Sequence, residues 1–532
     1  MARASLITRG MVPLHRCILL PVLVFIFIGL TYHLDAIPSR DVLTSSKHYI
    51  INRLPLRQEL EDLEADTAIP QDYQQWVSAD EDRSPCAPEL DYLKLMSLTN
   101  HIKHTRRCVK PLFSENVDRN EVTDTKLSLI TRNESLLLSE PCTVDVDSIP
   151  CDPLELPVPP PYPENQGQYT HLIFGVATTY ARLRDSRPTF AHWLSTSGAT
   201  LVGLITEQYM ELFPLDLAAL KDEYKADGIN LTIVMQHGLL HTTEQSHVMV
   251  IRDMLSKAHS ASTETHWFGI LDDDTFFPSL YALSSTLSQY DHTRPQYLGQ
   301  TTESAHILPI GILGGFGGAG VFLSLPLAEQ IEPHLDSCLE EYPNRGGDMQ
   351  IMSCVYEHST AKLKMVDGLY QMDLVGDVSG FYESGRQILS LHHWKSWHWL
   401  PVDQMAAVTR FCGDCFLQRF SFLGDDRYAL TVLNNGYSIN FYEVGISELP
   451  DLSRTEQTWD AWLGVDAWGD YQWRLGPLRP KVEKDKKKSY YLETAVQNKD
   501  GGLTQVYVHR EDGQDDEVIE LVWQTRHSAT DY

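Results

Sequence analysis

The sequence predicts an α/β protein with a mainly parallel central sheet, set behind an N-terminal membrane anchor and stem and followed by a β-rich C-terminal extension. Three observations predict it. From Tyr169 onward, short apolar segments ("HLIFGVAT", "ATLVGLIT", "NLTIVMQ", "HWFGIL", "QYLGQ") alternate with helical stretches, the pattern of strands joined by crossover helices. After about Val402 the texture changes to hairpin-like alternation, as in "YALTVLNNGYSINFYE" with Asn435-Gly436 at the turn, and in "TQVYVHREDGQDDEVIELVWQT". Before Tyr169, the proline-dense run from Pro153 to Gln168 closes a polar, weakly periodic stretch and reads as an extended, semi-rigid spacer.

The N-terminus assigns a compartment. Cys17 to Tyr32 carries no charge, Arg3, Arg9 and Arg16 precede it and Asp35 follows, which predicts a cytoplasmic N-terminus and a lumenal remainder. As a helix the segment is roughly 24 Å long at about 1.5 Å per residue, suited to the thin membranes of the early secretory pathway. A cleaved signal peptide is the competing reading, with a poor cleavage site at Leu34 to Ala36, and it gives the same lumenal address. The expected organisation is a cytoplasmic tail 1–16, a signal anchor 17–34, a lumenal stem 35–168, an α/β domain 169–405 and a β-rich extension 406–532, held as a single-pass type II protein of Golgi or ER membranes. Asn133 ("NES") and Asn230 ("NLT") are glycosylation acceptors by pattern.

Composition agrees. With 532 residues and 42% hydrophobic content the chain buries a large core, and 72 acidic against 43 basic residues repel nucleic acid, so no polynucleotide partner is expected. Outside the anchor stand eight cysteines, Cys86, Cys108, Cys142, Cys151, Cys338, Cys354, Cys412 and Cys415, enough for up to four disulfides in an oxidising lumen. "CGDC" (Cys412 to Cys415) is read as a structural disulfide, because no second pair completes a zinc site and no thioredoxin-like unit surrounds it. The basic run Lys484 to Lys488 reads as a solvated loop, and no internal repeat is apparent.

One stretch carries chemistry. In "HWFGILDDDTFF" an apolar strand runs into Asp272, Asp273 and Asp274, at the carboxyl end of a strand where open α/β sheets bind ligands. A solvent-exposed acidic turn is the plain alternative. Apolar residues on both sides argue for a packed site, where a hard divalent cation relieves the repulsion of adjacent carboxylates. Phe276 and Phe277 stand where a D-D-x-x-D motif needs its last acid, and no calcium-loop spacing fits, which leaves the short D-x-D signature of nucleotide-sugar binding through a metal.

Around the triplet, "YLGQTTES" (Tyr297 to Ser304), "GGFGGAGVFLS" (Gly314 to Ser324), "RGGDMQI" (Arg345 to Ile351), "GLYQMD" (Gly368 to Asp373) and "SLHHW" (Ser390 to Trp394) follow in order. That series resembles the Fringe-like β-1,3-glycosyltransferases of glycosyltransferase family 31, and more closely their fungal and plant branch, formerly a domain of unknown function. The resemblance covers about Tyr169 to Pro401 and not the stem or the β-rich tail. It implies a GT-A fold, a UDP-sugar donor, a glycan or glycoprotein acceptor, a manganese ion and inversion at the anomeric carbon.

Carried over by position, Asp274 binds the metal, Asp272 and Asp273 contact the ribose and hold the metal's water shell, and His392, or else His393, is the second protein ligand. Asp348 matches the second acid of the family's acidic pair and is the implied catalytic base, with Asp373 next in line; Gly347 replaces the first acid of the pair. By residue type alone, an Asp after two glycines is a turn or a helix cap. The implied role of Gly317, Gly318 and Gly320 is to leave room for the donor sugar. Cys338 and Cys354 bracket Asp348, where a disulfide would brace the segment. Trp394, Trp397 and Trp399 are candidates for stacking on a sugar, with core packing the alternative for two of them. A catalytically silent, sugar-binding type II membrane protein is the second functional expectation.

Overall fold

The computed structural model describes residues 91–138, 151–206, 215–236, 242–305, 313–443, 449–460 and 467–524. The expected anchor, residues 35–90 of the expected stem, Cys86 and Cys142 lie outside these residues. Among the described residues no helix is long and apolar enough to cross a membrane.

The alternating apolar segments form a seven-stranded sheet in the order Leu363–Met365, Tyr297–Gly299, Val321–Ser324, Trp267–Leu271, Leu172–Thr178, Thr200–Ile205, Asn230–Met235. It is mainly parallel, as expected; only Val321–Ser324 runs antiparallel to its two neighbours. The chain starts at Leu172–Thr178, moves outward through two strands, then returns to lay Trp267–Leu271 on the other side. Strand order therefore reverses between Leu172–Thr178 and Trp267–Leu271, and the crevice at their carboxyl ends is the place such sheets offer a ligand. The acidic triplet opens on that crevice.

The central strands are buried on both faces, and their alternate residues enter different cores. Leu172, Phe174, Trp267 and Leu271 pack on one side, Ile173, Phe268 and Ile270 on the other against the helix Thr243–Ser260. That helix starts at a capping box, the Thr242 side chain accepting from Gln245 N while the Gln245 side chain accepts from Thr242 N, so its first turn is fixed. Beyond the triplet, Phe277 meets Trp193 edge to face at 4.8 Å, and Trp193 meets Phe174 at 5.0 Å. Such pairs contribute about 0.5–1.5 kcal/mol each beyond the area they bury, and they pin the acidic turn from its downstream side.

The second sheet departs from expectation. Its strands run Val122–Asp124, Arg419–Leu423, Tyr428–Asn434, Ser438–Glu443, Lys487–Gln497, Leu503–His509, Asp516–Trp523, His101–Phe113, Glu134–Leu137, with Asp152–Val158 also on His101–Phe113. The predicted hairpins are present, and Gly436 turns at φ +87° beside Asn435. Residues expected as stem, however, supply four of its strands. His101–Phe113 lies parallel to Asp516–Trp523 with Ile102 opposite Asp516, and Cys108 is joined to Cys151. The first residues of the proline-rich spacer form the edge strand Asp152–Val158, an edge being where Pro153 and Pro157 are tolerated.

Lys487, expected in a solvated loop, begins a strand and is buried between Glu383 at 3.0 Å and Glu456 at 3.3 Å. The expected pairs Cys338–Cys354 and Cys412–Cys415 are both formed. One continuous core holds Phe174 and Trp267 of the first sheet together with Val109, Ile439, Ile519 and Trp523 of the second. The strands from residues 101–158 are thus integral to the fold. A chain beginning at Tyr169 is expected to lose the cooperative thermal transition that a chain beginning at Ser84 retains, as read by circular dichroism melting.

Candidate functional site

Backbone pairing assembles the site. Phe276 N donates to Leu391 O at 2.8 Å and Leu391 N to Phe276 O at 2.9 Å, which brings "SLHHW" alongside the triplet. Leu389 N and Ser390 N both donate to Gly368 O, which adds "GLYQMD" as the next layer. His392 then stands between two carboxylates, Nε2 lying 3.0 Å from Asp274 Oδ1 and 3.2 Å from Asp272 Oδ2.

Its other nitrogen lies 3.0 Å from Gln371 O. A carbonyl only accepts, so Nδ1 carries a proton and Nε2 is aimed at the carboxylates. Burial works against a charged His392, but its hydrogen bonds to Asp272 and Asp274 outweigh it and raise its pKa well above the usual value. Burial likewise pushes the Asp274 carboxyl up, and the hydrogen bonds from His392 and from Ser396 Oγ, at 2.8 Å, reverse this and hold it below the usual carboxylate range.

His393 joins the same cluster: its ligand atom and those of Asp274 and His392 lie within 4.8 Å of one another. It is oriented by Asp373 Oδ1 at 3.4 Å and by Ser396 Oγ at 3.0 Å, and its ring stacks on Trp397 at 3.8 Å. One carboxylate and two imidazoles suit a divalent first-row ion such as manganese or zinc, and the Gln371 carbonyl behind His392 is the outer support such ligands use. The residues fit a metal. Asp272 stands at the rim with its side chain 39% exposed, open to a ligand.

Asp273 is turned to groups of the protein. Its carboxylate is 4% exposed and is held by Arg182 through Nε and Nη2, by Thr178 Oγ1, and by Lys395 Nζ at 3.4 Å. Asp273 anchors the triplet to the first strand, and its oxygens are already engaged by the protein.

Asp348 sits in the first turn of the helix Gly347–His358, braced by the Cys338–Cys354 bridge at Cys354. Its Oδ1 accepts from Gly317 N at 2.8 Å and lies 3.2 Å from His247 Nε2. The glycine loop is shaped by these side chains: a Cβ on Gly318 would lie 2.3 Å from His392 Cε1, and one on Gly317 2.6 Å from His247 Cε1. The crowding at Gly317 and Gly318 therefore comes from the protein's own imidazoles, while Gly320 turns at φ +96°.

Of the tryptophans, Trp394 packs against the core, whereas Trp397 and Trp399 are 44% and 61% exposed. Sequence reading missed Arg182, Thr178, Ser396 and His247. Thr178 ends the strand that borders the crevice and Arg182 follows it, a signal available in principle; His247 is one histidine on an amphipathic helix and carries none.

Glu303 lies behind the site, fully buried, its carboxylate accepting from Gln371 N at 3.0 Å and Asp373 N at 3.1 Å. Two contacts from the C-terminal extension hold this layer: Trp473 Nε1 donates to Glu303 O at 2.8 Å and Tyr471 OH to Asp373 O at 3.3 Å. Burial, then the charge of Asp373, push the Glu303 carboxyl up to about 7.

Two family models match the chain: Fringe-like over residues 229–392, and a protein of unknown function, DUF604, over 312–528. The second reaches through the β-rich extension, which the sequence resemblance had left out. No curated protein sequence matches. Similar solved structures include the glycosyltransferase GlyE of Streptococcus pneumoniae, 12% identical over 37% of this chain and 45% of that one, TM-score 0.26. Mouse xyloside xylosyltransferase 1 is 12% identical over 37% and 85%, TM-score 0.24. A glycosyltransferase involved in glycosylation of the major capsid of the virus PBCV-1 is 15% identical over 44% and 99%, TM-score 0.28. The chain spans less than half the length of the pneumococcal protein.

Two outcomes are expected. Gly318→Ala should displace the His392 ring and weaken manganese binding by calorimetry while the thermal midpoint changes little. Glu303 has a folded-state pKa raised from 4.5 to about 7, so stability should fall as pH rises through that interval. Glu303→Gln should flatten that dependence in chelator-treated protein.

Proposed function

Because the chain is a Fringe-like glycosyltransferase of the family-31 type, we propose that it transfers a hexose or N-acetylhexosamine from a UDP-sugar to a hydroxyl of a glycan or glycoprotein, inverting the anomeric carbon and forming a β-1,3 linkage. The sheet, with its acidic turn at the switch point, is read as a GT-A fold. The observation that carries the reading is the convergence of Asp274, His392 and His393 within reach of one cation, with Asp348 set apart on a separate helix.

Asp274, His392 and His393 would hold manganese, which when bound supplies positive charge to the donor's diphosphate. Asp272 at the rim is placed to meet the nucleotide. Asp348 would do the proton chemistry: with Oδ1 held by Gly317 N, its other oxygen would take the proton of the acceptor hydroxyl. As the acceptor oxygen bonds to the anomeric carbon, its proton passes to Asp348 and the bond from that carbon to the diphosphate breaks, releasing UDP. The three disulfides among the described residues and the uncharged segment Cys17 to Tyr32 support a lumenal, Golgi-type setting.

The experiment is UDP release from a panel of UDP-sugars by the lumenal protein with manganese and no acceptor. Slow release from one donor is expected; none from any would favour the silent sugar-binding reading. Asp274→Asn should abolish manganese-dependent UDP binding while the protein remains folded. Asp348→Asn should keep donor and metal binding but lower turnover by roughly 10² to 10⁴, the usual worth of a positioned base.

A further inference from the structure

His247 lies in the first turns of the helix Thr243–Ser260, and the mechanism above gives it no part. Its ring is buried, with Nε2 3.2 Å from Asp348 Oδ1 and Nδ1 3.7 Å from Asp272 Oδ1. Only the first is a hydrogen bond. A carboxylate only accepts, so Nε2 carries the proton and donates.

The backbone is built around this ring from two separate segments. A Cβ on Gly317 would meet His247 Cε1 at 2.6 Å and Nε2 at 2.7 Å. A Cβ on Gly347 would meet His247 Cδ2 at 3.0 Å and Glu244 O at 2.7 Å. Gly347 is the position where the family resemblance implies the first acid of a pair. Here the space of that side chain is taken by a histidine arriving from another helix.

We propose that His247 is the positioning residue of the base: with Gly317 N it clamps Asp348 Oδ1, so that the other oxygen is presented to the acceptor, and it fills the space the first acid would occupy. The capping box fixes the helix that carries it, so the clamp is set before substrate binds. The proposal rests on Asp348 being the base.

The test uses manganese and whichever of UDP-galactose, UDP-glucose and UDP-N-acetylglucosamine the wild-type lumenal protein hydrolyses fastest, with UDP release as readout. His247→Gln places an amide N–H near the Nε2 position and should stay within about tenfold of wild-type kcat. His247→Asn offers a donor only near Nδ1 and should lose roughly 10²-fold, the scale of a misplaced reacting group. The KM for the donor should not move in either.

In an Asp348→Asn background neither substitution should lower kcat further, because the group being positioned is gone. Equal losses in Gln and Asn variants, or losses that multiply with Asp348→Asn, would assign His247 to packing and overturn the proposal. The near-isosteric Gln variant keeps this readable should His247→Asn unfold. Full turnover in Asp348→Asn alone would instead overturn the base and the proposal with it.

Discussion

Three adjacent carboxylates at the end of a buried strand are the constraint on which the rest of the site depends. Two of them, Asp273 and Asp274, are nearly inaccessible to water, and like charges so close oppose ionisation unless each has its own counter-group. The fold divides the task. Asp273 is turned to Arg182, Thr178 and Lys395, on the side of the first strand; Asp274 is turned to His392 and Ser396, on the side of the returning chain. Asp272 remains at the rim. Only the second of these arrangements has the donor set of a cation site, and the pairing of Phe276 with Leu391 is what builds it.

The extension serves that same layer. Tyr471 and Trp473 hold the backbone of Asp373 and the segment of Glu303, and Glu303 in turn accepts from the residues that orient His392 and His393. A β-rich module that shares one core with the first sheet and holds the residues that support His392 and His393 is a structural part of the same unit. The family model spanning 312–528 runs across the same junction.

Much of this was legible in the sequence because it follows from local pattern. Apolar runs such as "LIFGVAT" and "WFGIL" announce strands buried on both faces, Asn435-Gly436 announces a turn, and the acids after "WFGIL" announce a ligand edge. What stayed hidden rests on polar groups satisfied at long range. His101–Phe113 contains Lys103, Arg106, Arg107 and Lys110 and so hides its alternation. In the fold Arg107 donates to the carbonyls of Ser128, Leu129, Asp152 and Pro153. Lys487 likewise reads as solvated until Glu383 and Glu456 come from distant segments. Asp273 and Asp274 cannot be told apart by position alone, because their partners lie on opposite sides of the turn.

The most direct measurement is pulsed electron paramagnetic resonance on the manganese-loaded protein with its histidines labelled with ¹⁵N. The account predicts nitrogen hyperfine coupling from imidazole, reduced by His392→Gln and absent, with loss of bound manganese, in Asp274→Asn. Tightly bound manganese without nitrogen coupling, or coupling unchanged by His392→Gln, would contradict the assignment of this cluster as the metal site.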